Sequence, residues 1–122
     1  VDLNTRKIAW QMPAGTAEEL GPLKLKLGLP AMMGLPSYAG TSVTAGGLVF
    51  FAGYQDHYIR AYDAADGREL WKHSLPVGSS ATPMTYVSPR TGKQYVLISV
   101  GGAPYSRDVG DYVMAFALKG RN

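Results

Sequence analysis

Short apolar runs separated by turn residues set the pattern of this chain. Leu48-Val49-Phe50-Phe51-Ala52 is flanked by Gly47 and Gly53. Tyr58-Ile59-Arg60-Ala61-Tyr62 follows, then Asp66-Gly67, then Glu69-Leu70-Trp71-Lys72-His73-Ser74-Leu75. Runs of this length bounded by Gly, Asp and Pro read as strands, and Asp-Gly between two of them reads as a hairpin. They predict a three-stranded meander that Pro76 and Gly78 bring to an end. A second meander is predicted from strands at 84–87, 94–100 and 111–118, with a turn at Ser88-Pro89-Arg90-Thr91-Gly92-Lys93 and a loop over 101–110. Segments 95–100 and 112–118 are apolar on both faces, which predicts cover on both sides and stacked sheets. The core is expected from 48–51, 59–62, 95–100 and 112–118.

No segment sustains a helical period, although 17–20 has the composition for one turn. Residues 21–45 are rich in Gly, Pro, Ser and Thr and read as an extended loop. Loops of that length in compact domains usually carry function or cover something. The fold class is therefore all-β.

An internal repeat sharpens it. Asp2-Leu3-Asn4-Thr5-Arg6-Lys7-Ile8-Ala9-Trp10 matches Asp63-Ala64-Ala65-Asp66-Gly67-Arg68-Glu69-Leu70-Trp71 at an offset of 61, and Met12-Pro13-Ala14-Gly15 echoes Leu75-Pro76-Val77-Gly78 at 63. The Asp can accept hydrogen bonds from the turn amides, and the Trp can fill the gap between adjacent sheets. Hairpin-plus-Trp units at this period indicate blades of a β-propeller. Blades run to about 40–50 residues and a closed ring needs about four or more, so this chain holds about two four-stranded antiparallel blades of an incomplete propeller. It belongs to a longer chain, assembles with copies of itself, or leaves sheet edges open to pairing.

Composition narrows the function classes. With 122 residues, 46% hydrophobic and 17% charged, the chain is globular rather than disordered. No apolar run reaches the roughly 18 residues of a membrane-spanning helix. The absence of Cys excludes disulfides and Cys-based zinc sites. A net charge of +3 is mild, its basic residues are scattered, and no nucleic-acid partner is expected. The start, Val1-Asp2-Leu3-Asn4, lacks a secretory signal and an initiator Met, so a mature product or a piece of a longer protein is expected. Gly46-Gly47 and Gly101-Gly102 lack the Lys-Ser/Thr ending and following helix of a phosphate loop, and are expected to be turns with positive φ. Ser37, Ser79 and Ser80 have no nucleophile-elbow context.

A series of motifs in order gives a resemblance over nearly the whole chain. It runs from Gly15-Thr16 and Gly21-Pro22 through Gly46-Gly47-Leu48-Val49-Phe50-Phe51-Ala52-Gly53 and Gln55-Asp56-His57-Tyr58-Ile59-Arg60-Ala61-Tyr62-Asp63. It continues with Leu75-Pro76-Val77-Gly78, Thr82-Pro83-Met84-Thr85-Tyr86, Gly92-Lys93-Gln94-Tyr95-Val96, Gly101-Gly102 and Gly110-Asp111-Tyr112-Val113. Together these resemble the C-terminal end of the membrane-bound quinoprotein dehydrogenases of the glucose/quinate/shikimate type, which use pyrroloquinoline quinone (PQQ). The resemblance implies an eight-bladed parent facing the periplasm at the bacterial inner membrane, with PQQ and Ca²⁺ or Mg²⁺ over the channel and electrons passed to ubiquinone. It also implies division into the end of one blade (1–15), a long loop (16–45) and the last blades (46–122). The catalytic base, an Asp in the family, and most metal ligands are expected upstream. The chain alone is then expected to hold no catalytic or metal-ligating residue, to bind no cofactor and to be inactive, its partners being the remaining blades.

Within the resemblance, Asp56 corresponds to a cofactor-proximal acid that could accept a hydrogen bond from PQQ or help hold the cation; by its residue chemistry alone it reads as an Asx-type turn residue. The loop holding Gly102, Ala103 and Arg107 corresponds to a substrate-side loop. The glucose-oxidising members carry His then Gly after the Gly-Gly pair, whereas this chain has Ala103-Pro104 in a loop one residue shorter, closer to the quinate/shikimate members. Arg107 could pair with a substrate carboxylate, or stand as a surface arginine. His57 neighbours Asp56, but successive strand residues face opposite ways, so the two cannot both face the cofactor if that segment is regular. His73 reads as a surface residue, Arg60 as a structural partner of a nearby carboxylate, Trp10 and Trp71 as packing residues, and Tyr86, Tyr95 and Tyr112 as core and interface aromatics. Two alternatives stand beside the enzyme: a cofactor-free propeller scaffold of the outer-membrane assembly type, and a self-associating β module.

Overall fold

The apolar runs become seven strands: β1 (Thr41–Val43), β2 (Leu48–Ala52), β3 (Tyr58–Asp63), β4 (Glu69–Ser74), β5 (Met84–Val87), β6 (Gln94–Gly102) and β7 (Val109–Ala117). The structure, a computed structural model, describes residues 1–14, 37–53, 55–102 and 107–118. Strands β1-β2-β3-β4 form one sheet and β5-β6-β7 a second, each strand antiparallel to its neighbours. No helix occurs among the described residues. Both meanders and the all-β class stand, with a four-stranded and a three-stranded sheet where two four-stranded blades are expected.

One strand lies where a loop is expected. Thr41-Ser42-Val43, inside the 16–45 segment, pairs along β2 with Thr41 opposite Phe51 and Val43 opposite Val49. Three residues in a Gly/Ser/Thr-rich context carry no period of their own, and the partner strand defines this one. Much of the rest of that segment, including the helical turn considered at 17–20, lies outside the described residues.

Register decides which side chains meet. Phe50 pairs with Ala61 and Ala52 with Ile59, so all four share one face of the first sheet. On the second, Val96, Ile98 and Val100 alternate inward and pair with Phe116, Met114 and Tyr112. Ala52, Ile59 and Val100 are 0% exposed and, with Ile98 and Leu75, form the core between the sheets. Small Ala52 opposite large Ile59 lets the second sheet approach closely.

The expectation that β6 and β7 are covered on both faces is corrected. Their outer face is open, with Met84 58% and Val113 74% exposed. Tyr86 on this face, and Tyr112 at the end of the inward row opposite Val100, are both exposed rather than core aromatics. Tyr86 instead lies across from Tyr95, ring centroids 6.2 Å apart. The physical reason is that no described residue forms a third layer on this face.

The two repeat copies fold alike at their turns. Asp2 Oδ1 accepts from the amides of Asn4 (2.8 Å) and Thr5 (3.3 Å), and Asp63 Oδ1 accepts from that of Ala65 (2.8 Å). The first amide also closes each turn, Asp2 N to Lys7 O and Asp63 N to Arg68 O, and Ser88 N to Lys93 O does the same in the second sheet. The fifth residue of each turn has positive φ: Arg6 (56°), Gly67 (75°) and Gly92 (66°). Each Trp then reaches the next sheet. Trp10 Nε1 donates to Ala64 O at 2.8 Å with its ring over Gly67, and Trp71 of β4 meets Phe116 of β7 edge-on at 5.3 Å. Trp71 thus fills the gap between the two sheets as expected, while Trp10, outside the described strands, packs on the turn after β3.

Candidate functional site

At one end of the two sheets, three connections converge: the β2–β3 loop, the β4–β5 crossover and the β6–β7 loop. The crossover joins them. Leu75 N donates to His57 O (2.6 Å), and Ser79 N to Gly53 O (3.4 Å). Ser79 forms a parallel bridge with Gly102, and Gly102 N donates to Gly78 O at 2.9 Å. Ser79 is fully buried and its hydroxyl donates to Ser99 O at 2.8 Å. It is a seam between the sheets rather than a nucleophile.

The β2–β3 loop turns its acid inward. Gly53 N donates to Tyr58 O at 2.6 Å, which closes the loop tightly. Asp56 folds beneath, so that any β-carbon at position 53 would collide with its Oδ1; only glycine fits there. Asp56 is 1% exposed, and its Oδ2 lies 2.5 Å from Arg60 Nη2. Arg60 is the structural partner the sequence suggests, and its carboxylates are Asp56 and, through Nε at 3.1 Å, Glu69 on β4. The guanidinium also lies over the Tyr58 ring, Cζ 5.2 Å from the centroid.

Electrostatics favour this charge state. Burial opposes the Arg60 cation, but the hydrogen bond and charge of Asp56, with Tyr62 and Glu69, outweigh it and hold the group above its ordinary value. Burial pushes the neighbouring Tyr62 phenol up to about 12. Asp56 Oδ1, Arg60 Nη1 and Tyr62 Oη are buried and make no hydrogen bond among the described residues.

Of the residues singled out in sequence, the structure brings Asp56, His57, Gly102 and Arg107 to the same end. His57 takes φ +53° and its ring faces the second sheet, Nε2 lying 3.7 Å from Asp108 Oδ2. Gly102 takes φ +97°, with the Asp108 carbonyl where a side chain would begin. Arg107 is exposed beside Asp108. Ala103 lies outside the described residues. The strand alternation expected to set Asp56 and His57 apart does not apply, because both lie in the irregular loop before β3, with His57 left-handed. Gly47 and Gly102 have the positive φ expected of turns. His73 is exposed, as expected, with its ring 5.1 Å from Phe116. Sequence reasoning missed Glu69, Ser79 and the His57–Asp108 contact. Glu69 carries a signal, a charge opposite an arginine strand, but the other two depend on how the sheets stack.

An apolar cleft of about 880 Å³ opens at the opposite end, between the sheets, lined by Leu48, Phe50, Trp71, Val96, Phe116 and Leu118 among others. Among the described residues that line it, His73 is the one acid or base. Among the described residues no cluster of three His, Cys, Asp or Glu is placed to hold a metal ion. An anionic quinone needs N–H donors along its rim, and an unpartnered, buried guanidinium N–H beside a carboxylate oxygen suits one edge of such a group. Both side chains are buried in this chain, so what they offer such a group is donor and acceptor chemistry at the edge of the β2–β3 loop.

Comparison with known proteins agrees with this architecture. Residues 1–96 match the family described as PQQ: Glucose/ethanol/alcohol dehydrogenase, beta-propeller domain. The chain is 56% identical over 98% of its length to the quinate/shikimate dehydrogenase (quinone) of Acinetobacter baylyi, and 41% identical over 97% to the quinoprotein glucose dehydrogenase of Escherichia coli. It spans about 15% of the length of each of these relatives. Among solved structures it is similar to the quinohemoprotein alcohol dehydrogenase from Comamonas testosteroni, with a TM-score of 0.55 and 31% identity over 68% of this chain and 13% of that one. With the family matched over most of its length, its repeat turns closed alike and its strands in blade-like meanders, the chain belongs to the PQQ β-propeller family of glucose/ethanol/alcohol dehydrogenases.

Proposed function

We propose that this chain forms the last blades of a PQQ-dependent dehydrogenase that oxidises a polyol or cyclitol of the quinate/shikimate type. The parent acts at the periplasmic face of the inner membrane and passes electrons to ubiquinone. The observation that carries this reading is the identity gradient: 56% to a quinate/shikimate dehydrogenase against 41% to a glucose dehydrogenase, each over almost the whole chain. The departure at Ala103-Pro104 from the glucose-type His-Gly points the same way.

Bound PQQ, with Ca²⁺ or Mg²⁺, supplies the two-electron oxidising power. The residues of this chain bind and orient. Asp56, braced by Arg60, holds the β2–β3 loop at the cofactor-facing end and contributes to cofactor binding. Gly102 and Ala103 shape the substrate side, and the exposed Arg107 guanidinium pairs with a substrate carboxylate. The proton-accepting base and the metal ligands lie in the remaining blades, so the chain alone is inactive.

The test is a substrate survey of the full-length parent, reconstituted with PQQ and either cation and given an artificial electron acceptor. Quinate or shikimate is expected to be oxidised well and glucose poorly. A preference for glucose would overturn the substrate class, and PQQ-independent behaviour would return the chain to a cofactor-free scaffold.

A further inference from the structure

The two loops at the cofactor-facing end belong to different sheets, and one side-chain pair described between them spans the boundary. His57 lies in the β2–β3 loop and Asp108 immediately before β7, with Nε2 and Oδ2 3.7 Å apart. His57 adopts φ +53°, a left-handed conformation that among the described non-glycine residues only Arg6 shares. That conformation costs backbone energy for a residue with a β-carbon and persists where surrounding contacts enforce it. Here the enforcing contact on the backbone is the hydrogen bond from Leu75 N to His57 O at 2.6 Å. The conformation turns Asp56 inward and leaves the imidazole facing the next sheet.

The other half of the pair is fixed just as firmly. Gly102 N is held by Gly78 O at 2.9 Å, and Gly102 at φ +97° lets the Asp108 carbonyl approach where a side chain would stand. The start and the end of the β6–β7 loop are thus clamped together, and Asp108 connects that clamp to His57. Arg107 immediately precedes Asp108 in the chain. Its guanidinium can take up a fixed place relative to Asp56 only if the two loops keep a fixed register.

We propose that His57 is a positioning residue: through Asp108 it registers the substrate-side loop against the Asp56 loop, and so sets substrate affinity rather than cofactor affinity. The inference deepens the proposed function and rests on it. Side chains of the pair are 24% and 58% exposed, so the interaction is a partly solvated one of modest strength. A change of about two- to fivefold in affinity is the size expected of such a pair.

The experiment uses the full-length parent with PQQ and Ca²⁺, with quinate as the probe. His57→Asn removes the imidazole but tolerates the left-handed φ, and His57→Gly does so with no strain. Asp108→Asn removes the charge from the other side. Each single variant is expected to raise KM for quinate about two- to fivefold. The double variant His57→Asn/Asp108→Asn should go no further, because the two residues act as one unit. The affinity for PQQ, read by fluorescence titration, and kcat should stay at their wild-type values. Additive effects of the two residues, an unchanged KM, or a loss of PQQ affinity matching the KM change would each overturn the inference. A wild-type parent inactive on quinate but active on another substrate would overturn the proposed substrate class instead, and with it this inference about quinate affinity.

Discussion

Arg60 meets Asp56 inside the protein: Nη2 lies 2.5 Å from Oδ2, and the two side chains are 3% and 1% exposed. Four residues apart in sequence, one sits on β3 and the other in the loop before it. The pair therefore fastens the loop to the strand that follows. A buried ion pair is weak evidence for net stability, because desolvation offsets most of the attraction. Its worth lies in fixing where the loop runs, with Glu69 and the Tyr58 ring completing the enclosure.

Breaking that pair has unequal costs on its two sides. Arg60→Met leaves Asp56 buried without a countercharge, and should destabilise the protein by about 3–5 kcal/mol. Asp56→Asn leaves Arg60 still paired with Glu69 at 3.1 Å, and should cost less. Thermal unfolding of the two variants side by side checks the order. Equal losses would show that the pair is not the relevant unit.

The left-handed turns separate backbone strain from packing. Gly92 has φ +66° and nothing within 4 Å of where a β-carbon would go, so Gly92→Ala should cost about 1–2 kcal/mol from conformation alone. Gly67 has φ +75°, and a β-carbon there would sit 2.6 Å from the Trp10 ring. Gly67→Ala should therefore cost more and change Trp fluorescence, while Gly92→Ala leaves the fluorescence unaltered. Arg6 occupies the same place in its turn at φ +56°, so Arg6→Gly should be neutral or stabilising by about 0.5–1 kcal/mol.

What was legible in the sequence follows from what is local. Leu48-Val49-Phe50-Phe51-Ala52 and Met84-Thr85-Tyr86-Val87 carry their own strand propensity and form β2 and β5 with the expected bounds. The Asp–turn–Trp repeat is local as well, and its hydrogen bonds occur in both copies. β1 was hidden because its partner, not its composition, makes it a strand. The open outer face of β5–β7 was hidden for the complementary reason: an apolar pattern states what a strand would bury, not whether a neighbour is present. At the site, Asp56 and Arg107 stood out as single residues. The register between their loops is set by Ser79, Gly102 and His57 across two sheets, and no spacing in the chain encodes it.

Alkaline stability should hinge on Tyr62. Its phenol is pushed up to about 12 by burial, against 10.0 for the free group. The folded state thus holds this proton more tightly than the unfolded state does. Its contribution is fully present below pH 10 and is lost as pH rises through the folded value near 12. Tyr62→Phe should flatten the fall in stability across this window. It should cost little at neutral pH, since the hydroxyl has no hydrogen-bond partner among the described residues. Urea denaturation at neutral and alkaline pH tests both halves, and an unchanged slope in the variant would refute the assignment.

The open face of the second sheet should make this chain sticky when produced alone. Met84, Tyr86 and Val113 expose apolar surface there, beside the edge strand β5. Sedimentation is expected to show self-association. Met84→Lys and Val113→Lys together should reduce it, while Lys at the already exposed Leu3, near the chain start, should not.

The central claim is that the Asp56 end of this chain is a wall of a PQQ site, and its most direct test is an equilibrium titration of the full-length parent with PQQ. Wild type, Asp56→Asn and Arg90→Ala, the last in the turn at the opposite end, would be compared under one set of conditions. Wild type and Arg90→Ala should bind alike, and Asp56→Asn should bind about tenfold more weakly, the size of one lost hydrogen bond to a charged group. Equal binding by all three, or no binding by the wild type, would contradict the account.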